Sequence, residues 1–370
     1  MRADVAIVGG GLVGSALAYG LSREGARVVV LDEGDDAYRA SRGNFGLVWV
    51  QSKGDGMAEY AAWSRNSAGL WPGLEAALTE ETGIDLGLRQ PGGIEPCIGE
   101  AEYRDYAAQI ARMEAQGGVG ANDARMIDAD EARRLVPALG PEVLGARYSP
   151  HDGHVNPLHL LRALHTANAA RGVDYRPHHR VISIEPDNGS FVVQTERGPV
   201  SAGRVVLAAG LGNGALDKDV ALTVPTAPER GHILVTERLA PFLDIPVGRV
   251  RQTEEGSVMF GASAEDVGFD TGLNPAIFAD IADRARRVFP VLANTRIVRL
   301  WSALRIMSPD GFPIYEESVE HPGAFVVTCH SGVTLAAAHA IDLAPQLLQP
   351  GFNQSFQAFS ARRFDVQAAA

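Results

Sequence analysis

The 370-residue chain is 46% hydrophobic and 21% charged, with a formal net charge of −12. It has no basic stretch, which argues against nucleic acid or an anionic membrane as the main partner, and the composition excludes a disordered, collagenous or coiled-coil chain. Two cysteines, Cys97 and Cys329, make neither a disulfide framework nor a zinc site, so no metal is expected and a reducing, cytoplasmic setting fits best. The length exceeds what one small core organises, which predicts two domains or a domain with an insertion. All but two of the 33 basic residues are arginines; the lysines are Lys53 and Lys218.

In chain order, Val5–Val8 reads as a buried parallel strand, Gly9–Gly14 as a break, Ser15–Arg23 as a helix and Val28–Leu31 as the next strand. The run Val5–Leu21 is uncharged, but its glycines suit a membrane helix poorly and no cleavage site follows. No other segment is apolar enough to span a bilayer. Met57–Thr82 is helix-rich, with an interruption expected at Pro72-Gly73, and Ala101–Gln116 is a further helix. Asp128–Glu131 carries a capping box, and Asn156-Pro157 opens a helix that Gly172 stops. Short strands follow at Val181–Ile184, Phe191–Gln194 and Arg204–Leu207, then β segments at Gly231–Thr236 and Arg249–Gly261 with a turn at Glu254–Gly256. Pro275–Val288 is helical, Ala324–Val327 is a strand, and an alanine-rich helix comes after a turn at Gly332. Strands mixed with helices and no linker predict interleaved domains.

The strongest local signal is Gly9-x-Gly11-x-x-Gly14 between strand and helix. Gly9 permits the tight turn, Gly11 lets backbone approach a pyrophosphate, and Gly14 lets helix and strand pack closely. A pyrophosphate would sit on the helix N-terminus, where amides and the dipole favour anions. Asp32 ends the second strand, placed to accept from ribose hydroxyls, and Asp32 with Glu33 repels a 2′-phosphate. The fingerprint leaves NAD and FAD open.

Beyond it, an ordered series of segments resembles the D-amino-acid oxidase-like family of FAD-dependent amine oxidoreductases. Ser41-Arg-Gly-Asn-Phe-Gly46 resembles the family's second flavin loop, and Asp152-Gly-His-Val-Asn-Pro157 its characteristic helix start. Val205–Gly210 is similar to the strand and turn that return to FAD, and Val181 sits where an adenine-contacting residue is usual. Pro228-Glu-Arg-Gly231, followed by His232, and Trp301–Arg305 with Ser308–Pro313 complete the series. The resemblance implies an α/β fold in which a Rossmann-like FAD-binding domain (1–85, 145–222 and 306–370) is interleaved with an α+β substrate domain on a mixed β-sheet (86–144 and 223–305).

Asn44–Val50 and Thr328–Leu335 narrow the likeness to FAD subunits of heteromeric bacterial dehydrogenases, such as those of opine oxidase, hydroxyproline dehydrogenase and hydrogen cyanide synthase. That implies non-covalent FAD, a larger α subunit, and a small iron–sulfur subunit carrying the only cluster. His151-Asp152 resembles a region that holds FMN at a subunit interface, which leaves room for a second flavin. The implied flavin site comprises Gly9, Gly11, Leu12, Val13, Gly14, Asp32, Glu33, Ser41, Arg42, Asn44, Phe45, Gly46, Leu47, Val181, Ala209, Gly210 and the turn His330, Ser331, Gly332, Val333 and Thr334. Arg305 is the candidate clamp for a substrate carboxylate, with His330, His232, Tyr60 and Tyr315 as further pocket candidates. His151, His154, His159 and His165 have no metal-ligand companions and read as structural. The segment Gly256–Gly261 resembles one that, in monomeric sarcosine oxidases, carries an oxygen-activating lysine. Val258 and Met259 stand there instead, so oxygen is expected to be a poor electron acceptor.

Overall fold

Every residue from Val5 to Val8 is buried, and the alternation of a strand sends neighbours to opposite sides. Val5 and Ile7 join Leu17, Leu21 and Phe325 in one core, while Ala6 and Val8 join Phe191, Leu207 and Leu216 in another. Such a strand has to lie in the middle of a sheet covered on both faces. The computed structural model, which describes residues 2–34, 40–261 and 263–369, places it there. Strand β1 (Ala3–Val8) pairs in parallel with β2 (Val28–Leu31) and with Gly198–Leu207. Helix α1 (Leu12–Arg23) forms the crossover between β1 and β2. The sheet runs Ile314–Glu317, Ala324–Thr328, Gly198–Leu207, β1, β2, Asp174–Arg176, with Ser190–Thr195 and Val181–Asp187 branching from its centre.

A second layer holds its own core. The strands Val250–Gln252, Ser257–Gly261, Ala227–Arg238 and Ile297–Met307 form an antiparallel sheet, and Gly93–Ile98, Val143–Ser149 and Arg125–Asp128 form another. A bridge between Ile94 and Val247 joins them, and Ile94, Val247, Val258, Phe260 and Phe278 share one apolar cluster. The sheet is thus mixed only at that one parallel bridge; the rest is antiparallel. The expected divisions at 144/145 and 305/306 fall inside the strands Val143–Ser149 and Ile297–Met307, because pairing carries each strand past them.

Two local expectations fail for tertiary reasons. Helix α2 (Ala58–Thr82) runs unbroken through Pro72. Proline removes a donor and ordinarily breaks a helix, but Trp71, Leu74 and Leu78 are fully buried around it and hold the turn in place. The alanine-rich helix is not regular: Ala336–Ala338 passes into a π turn at His339–Leu343 before Ala344–Gln346. There the chain lies against α1, where a Cβ on Gly20 would come within 2.1 Å of the Ala340 carbonyl oxygen. The predicted N-caps form, but the capping box at Asp128 closes only halfway, because the Glu131 carboxylate accepts from Arg125 instead of reaching back. Asp128 accepts from the Glu131 amide (2.7 Å), and Asn156 from those of Leu158 and His159 (3.1 and 3.2 Å). Among the described residues no helix is long and apolar enough to cross a membrane.

Candidate active site

The C-terminal ends of the parallel strands open onto one cavity of about 820 Å³. It runs from the glycine turn along residues 40–47 to the turn 329–334, and ends on the second sheet at 231–233 and 303–306. Every expected flavin contact except Gly14 lines it.

Gly14 acts from behind. A Cβ there would lie 1.9 Å from the Gly9 carbonyl oxygen, so only glycine lets α1 start this close to β1. Gly9 has φ +106°, and its own Cβ would meet the Ala208 carbonyl oxygen at 2.5 Å. The Gly10 and Gly34 amides donate to the two Asp32 carboxylate oxygens at 2.7 and 2.8 Å, which fixes the acid against the turn. A carboxylate offers about four lone-pair sites, so each oxygen can still accept a ribose hydroxyl. Ser41 Oγ accepts from the Leu12 amide (2.9 Å), and His165 Nε2 lies 3.0 Å from both the Gly10 carbonyl and Ser15 Oγ, buttressing the turn. The glycine cradle, the acid at its edge and the positive end of α1 fit the pyrophosphate and ribose of FAD.

The second sheet clamps the loop 43–47. Arg251 donates to the Phe45 carbonyl at 2.6 Å and Trp301 to the Gly43 carbonyl at 3.2 Å. Gly46 has φ +87°, and a Cβ on it would sit 2.3 Å from the Val155 carbonyl oxygen. Burial brings the Arg251 guanidinium down to about 10. The opposite anchor is Thr334, whose hydroxyl joins the Leu47 carbonyl and the Trp49 amide, each at 3.2 Å.

Lys53 was not expected at this site. Its ammonium donates to Ser331 Oγ at 2.7 Å and lies 3.1 Å from His330 Nε2. The Lys53 charge, followed by burial, holds His330 well below the usual imidazole range, while burial brings Lys53 itself down to about 8. The segment Gly256–Gly261 therefore does not decide the cavity's charge. Val258 and Met259 lie away from the cavity, with Met259 Sδ accepting from Arg251 at 3.3 Å, whereas Lys53 reaches it from a different loop. The signal in the sequence was scarcity, since a lysine in so arginine-rich a chain stands out. Arg249, paired with the buried Glu95 at 3.5 Å, also lines the cavity.

Arg305 lines it too, its Nη1 donating to Glu229 Oε1 and to the Ser263 carbonyl, both at 2.7 Å. A Cβ on Gly231 would meet the guanidinium at 2.6 Å, so this glycine gives Arg305 its place across the strands. The His232 ring is fully buried between Ser263 (3.0 Å), Glu265 (3.1 Å) and the Asn274 amide (3.3 Å), and burial lowers its pKa. The residue lines the far end of the cavity, and both of its ring nitrogens are engaged by these neighbours. Tyr60 lies behind the wall and touches the site through Ser331 Oγ at 2.8 Å. Tyr315 is a core residue, bonded to His339 (2.7 Å) and Trp63 (3.2 Å), because its strand faces the packed C-terminal helices rather than the cavity. His151 pairs with Asp123, whereas Asp152 is fully buried, accepts from the Gln51 side chain and is pushed up to about 7 by burial, so the two do not form one exposed patch.

The profile of a family described as FAD dependent oxidoreductase matches residues 4–345. An opine oxidase subunit of Agrobacterium tumefaciens is 42% identical over 366 residues, covering 99% of both chains. The hydrogen cyanide synthase subunit HcnC of Pseudomonas aeruginosa is 26% identical, covering 99% of this chain and 97% of its own. The structure of glycine oxidase from Geobacillus kaustophilus superposes with a TM-score of 0.87 at 27% identity, covering 97% of this chain and 98% of that one. With the glycine cradle, the acid at its edge and a cationic pocket on one cavity, the chain belongs to the FAD dependent oxidoreductase (DAO) family and is an oxidoreductase of amino-acid-like substrates.

Proposed function

We propose that this chain is the catalytic, FAD-carrying subunit of a heteromeric dehydrogenase that oxidises the C–N bond of an amino acid or N-substituted amino acid, of the opine, D-amino-acid or hydroxyproline kind. The observation that carries this reading is the continuity of one cavity from the glycine cradle to Arg305. The full-length similarity to an opine oxidase subunit supports both the substrate class and the heteromeric setting; the partners we propose are a larger α subunit and a small iron–sulfur subunit. FAD, when bound, supplies a two-electron hydride acceptor. The remaining work falls to the protein. Arg305 holds the substrate carboxylate and so aims the adjacent C–H bond. Ala303, Leu304, Ile306 and Val327 keep water from the reacting carbon. The Lys53 charge and burial both disfavour a proton on His330, so in this reading the amine reacts in its neutral form rather than giving its proton to that ring. The C–H bond leaves as hydride, the nitrogen loses a proton, and water hydrolyses the resulting imine to a carbonyl compound and an amine.

A second reading, a stand-alone oxidase, is favoured by Lys53, whose charge would stabilise superoxide formed in the cavity. Anaerobic bleaching of the flavin across a panel of opines, D-amino acids, prolines and glycine tests the first reading; a flavin that none of them bleaches overturns it. Reoxidation of the bleached enzyme as fast by air as by an artificial dye selects the oxidase.

A further inference from the structure

We propose that Lys53 is a specificity-determining residue: its ammonium binds an anionic group of the substrate remote from the carboxylate held by Arg305, so that the cavity takes a secondary amine bearing two carboxylates. The proposal rests on the reading above, that an amino-acid derivative is oxidised in this cavity.

The argument starts from charge partners. Arg305 faces Glu229 at 2.7 Å, Arg249 faces Glu95 at 3.5 Å and Arg180 faces Glu33 at 3.8 Å. Lys53 instead donates to neutral groups, the Ser331 hydroxyl and the unprotonated His330 ring. Ser331 Oγ is shared with the Tyr60 hydroxyl at 2.8 Å, and Tyr60 is itself held above its usual range by burial. Cys329 and Asp152 are the other titratable groups near Lys53. Burial raises the Cys329 thiol to about 12, so it stays neutral, and the Asp152 carboxylate is committed to the Val50 amide and to Gln51. Arg305 acts against the Lys53 charge. A buried cation without a counter-ion is costly until an anion joins it. Lys53, which hydrogen-bonds no carboxylate among the described residues, and Arg305, whose bonds to Glu229 and Ser263 both run through Nη1, line one cavity from its two sides and so offer separate places to two anionic groups on one ligand.

The same balance gives a pH signature. Burial leaves Lys53 at about 8, and a bound carboxylate would raise it again, so binding of the second carboxylate takes up a proton and weakens as pH rises through 8. The test uses the FAD-loaded protein and two ligands with no amine to oxidise, oxydiacetate with two carboxylates and methoxyacetate with one, read by perturbation of the flavin spectrum. Wild type should prefer oxydiacetate, with a preference that declines above pH 8. Lys53→Met should lose roughly ten- to a hundredfold in oxydiacetate affinity while methoxyacetate binds as before. Lys53→Arg should keep the preference without the pH dependence, and it decides the matter if the methionine variant does not retain FAD. Equal binding of the two ligands by wild type, or equal losses for both in Lys53→Met, would overturn the proposal. So would a shift in flavin potential in Lys53→Met with oxydiacetate affinity unchanged. None of these readouts needs turnover, so Lys53 can fail while substrate bleaching continues, and bleaching can fail while the dicarboxylate preference stands.

Discussion

Gly14 and Gly9 touch so closely that a single methyl on Gly14 would overlap the Gly9 carbonyl oxygen, 1.9 Å away. That contact sets the angle between β1 and α1, and with it the cradle for a pyrophosphate. Gly14→Ala should therefore push helix from strand despite alanine's better helix propensity, destabilising the protein by about 1–3 kcal/mol and lowering FAD content. Flavin absorbance per purified chain and the melting temperature measure both; a fully yellow variant of unchanged Tm would contradict the geometry.

Arg305→Lys addresses the carboxylate clamp. Lysine is a point charge and cannot present a planar fork while also serving Glu229 and the Ser263 carbonyl. We expect kcat/KM to fall by roughly tenfold or more with FAD content intact. Steady-state kinetics with a dye acceptor checks this, and unchanged kinetics would remove Arg305 from the site.

His339 predicts an acid-side loss of stability. Burial lowers its pKa to about 3, whereas the unfolded chain binds a proton near the ordinary value of 6.5. Between those values the unfolded state holds more protons, so this residue's contribution is complete above 6.5 and is lost as pH falls toward 3. His339→Gln keeps a polar partner for Tyr315 but does not titrate. Melting curves across that range should show a shallower decline for the variant than for wild type; parallel declines would argue against it.

Pro72 offers a gain. It is exposed within a continuous helix, where it can neither donate nor pack usefully. Pro72→Ala should stabilise the protein by about 1–3 kcal/mol, seen as a higher Tm with unchanged flavin content.

What the sequence by itself determined is what short-range backbone geometry requires. A positive φ at Gly9, a sterically closed contact at Gly14 and an acid at the end of β2 are needs met close together along the chain, so their residue types announce them. The caps at Asp128 and Asn156 are legible for the same reason. The cavity-lining loop 40–47 and the 330–334 turn were legible only as resemblance, because nothing local distinguishes them from ordinary turns. Tertiary structure decided the rest. Lys53 meets His330 across 277 residues, and no periodicity in either segment encodes that meeting. Tyr315 looked like a pocket residue until packing sent its side of the strand into the core, while His232 lines the cavity with its ring nitrogens already taken by Ser263, Glu265 and Asn274. Pro72 kept its helix because buried neighbours outweigh one missing hydrogen bond. Local motifs are read from the chain because their cost is local. The charge of this cavity comes from desolvation and from partners far apart in sequence, and both exist only once the two sheets have packed.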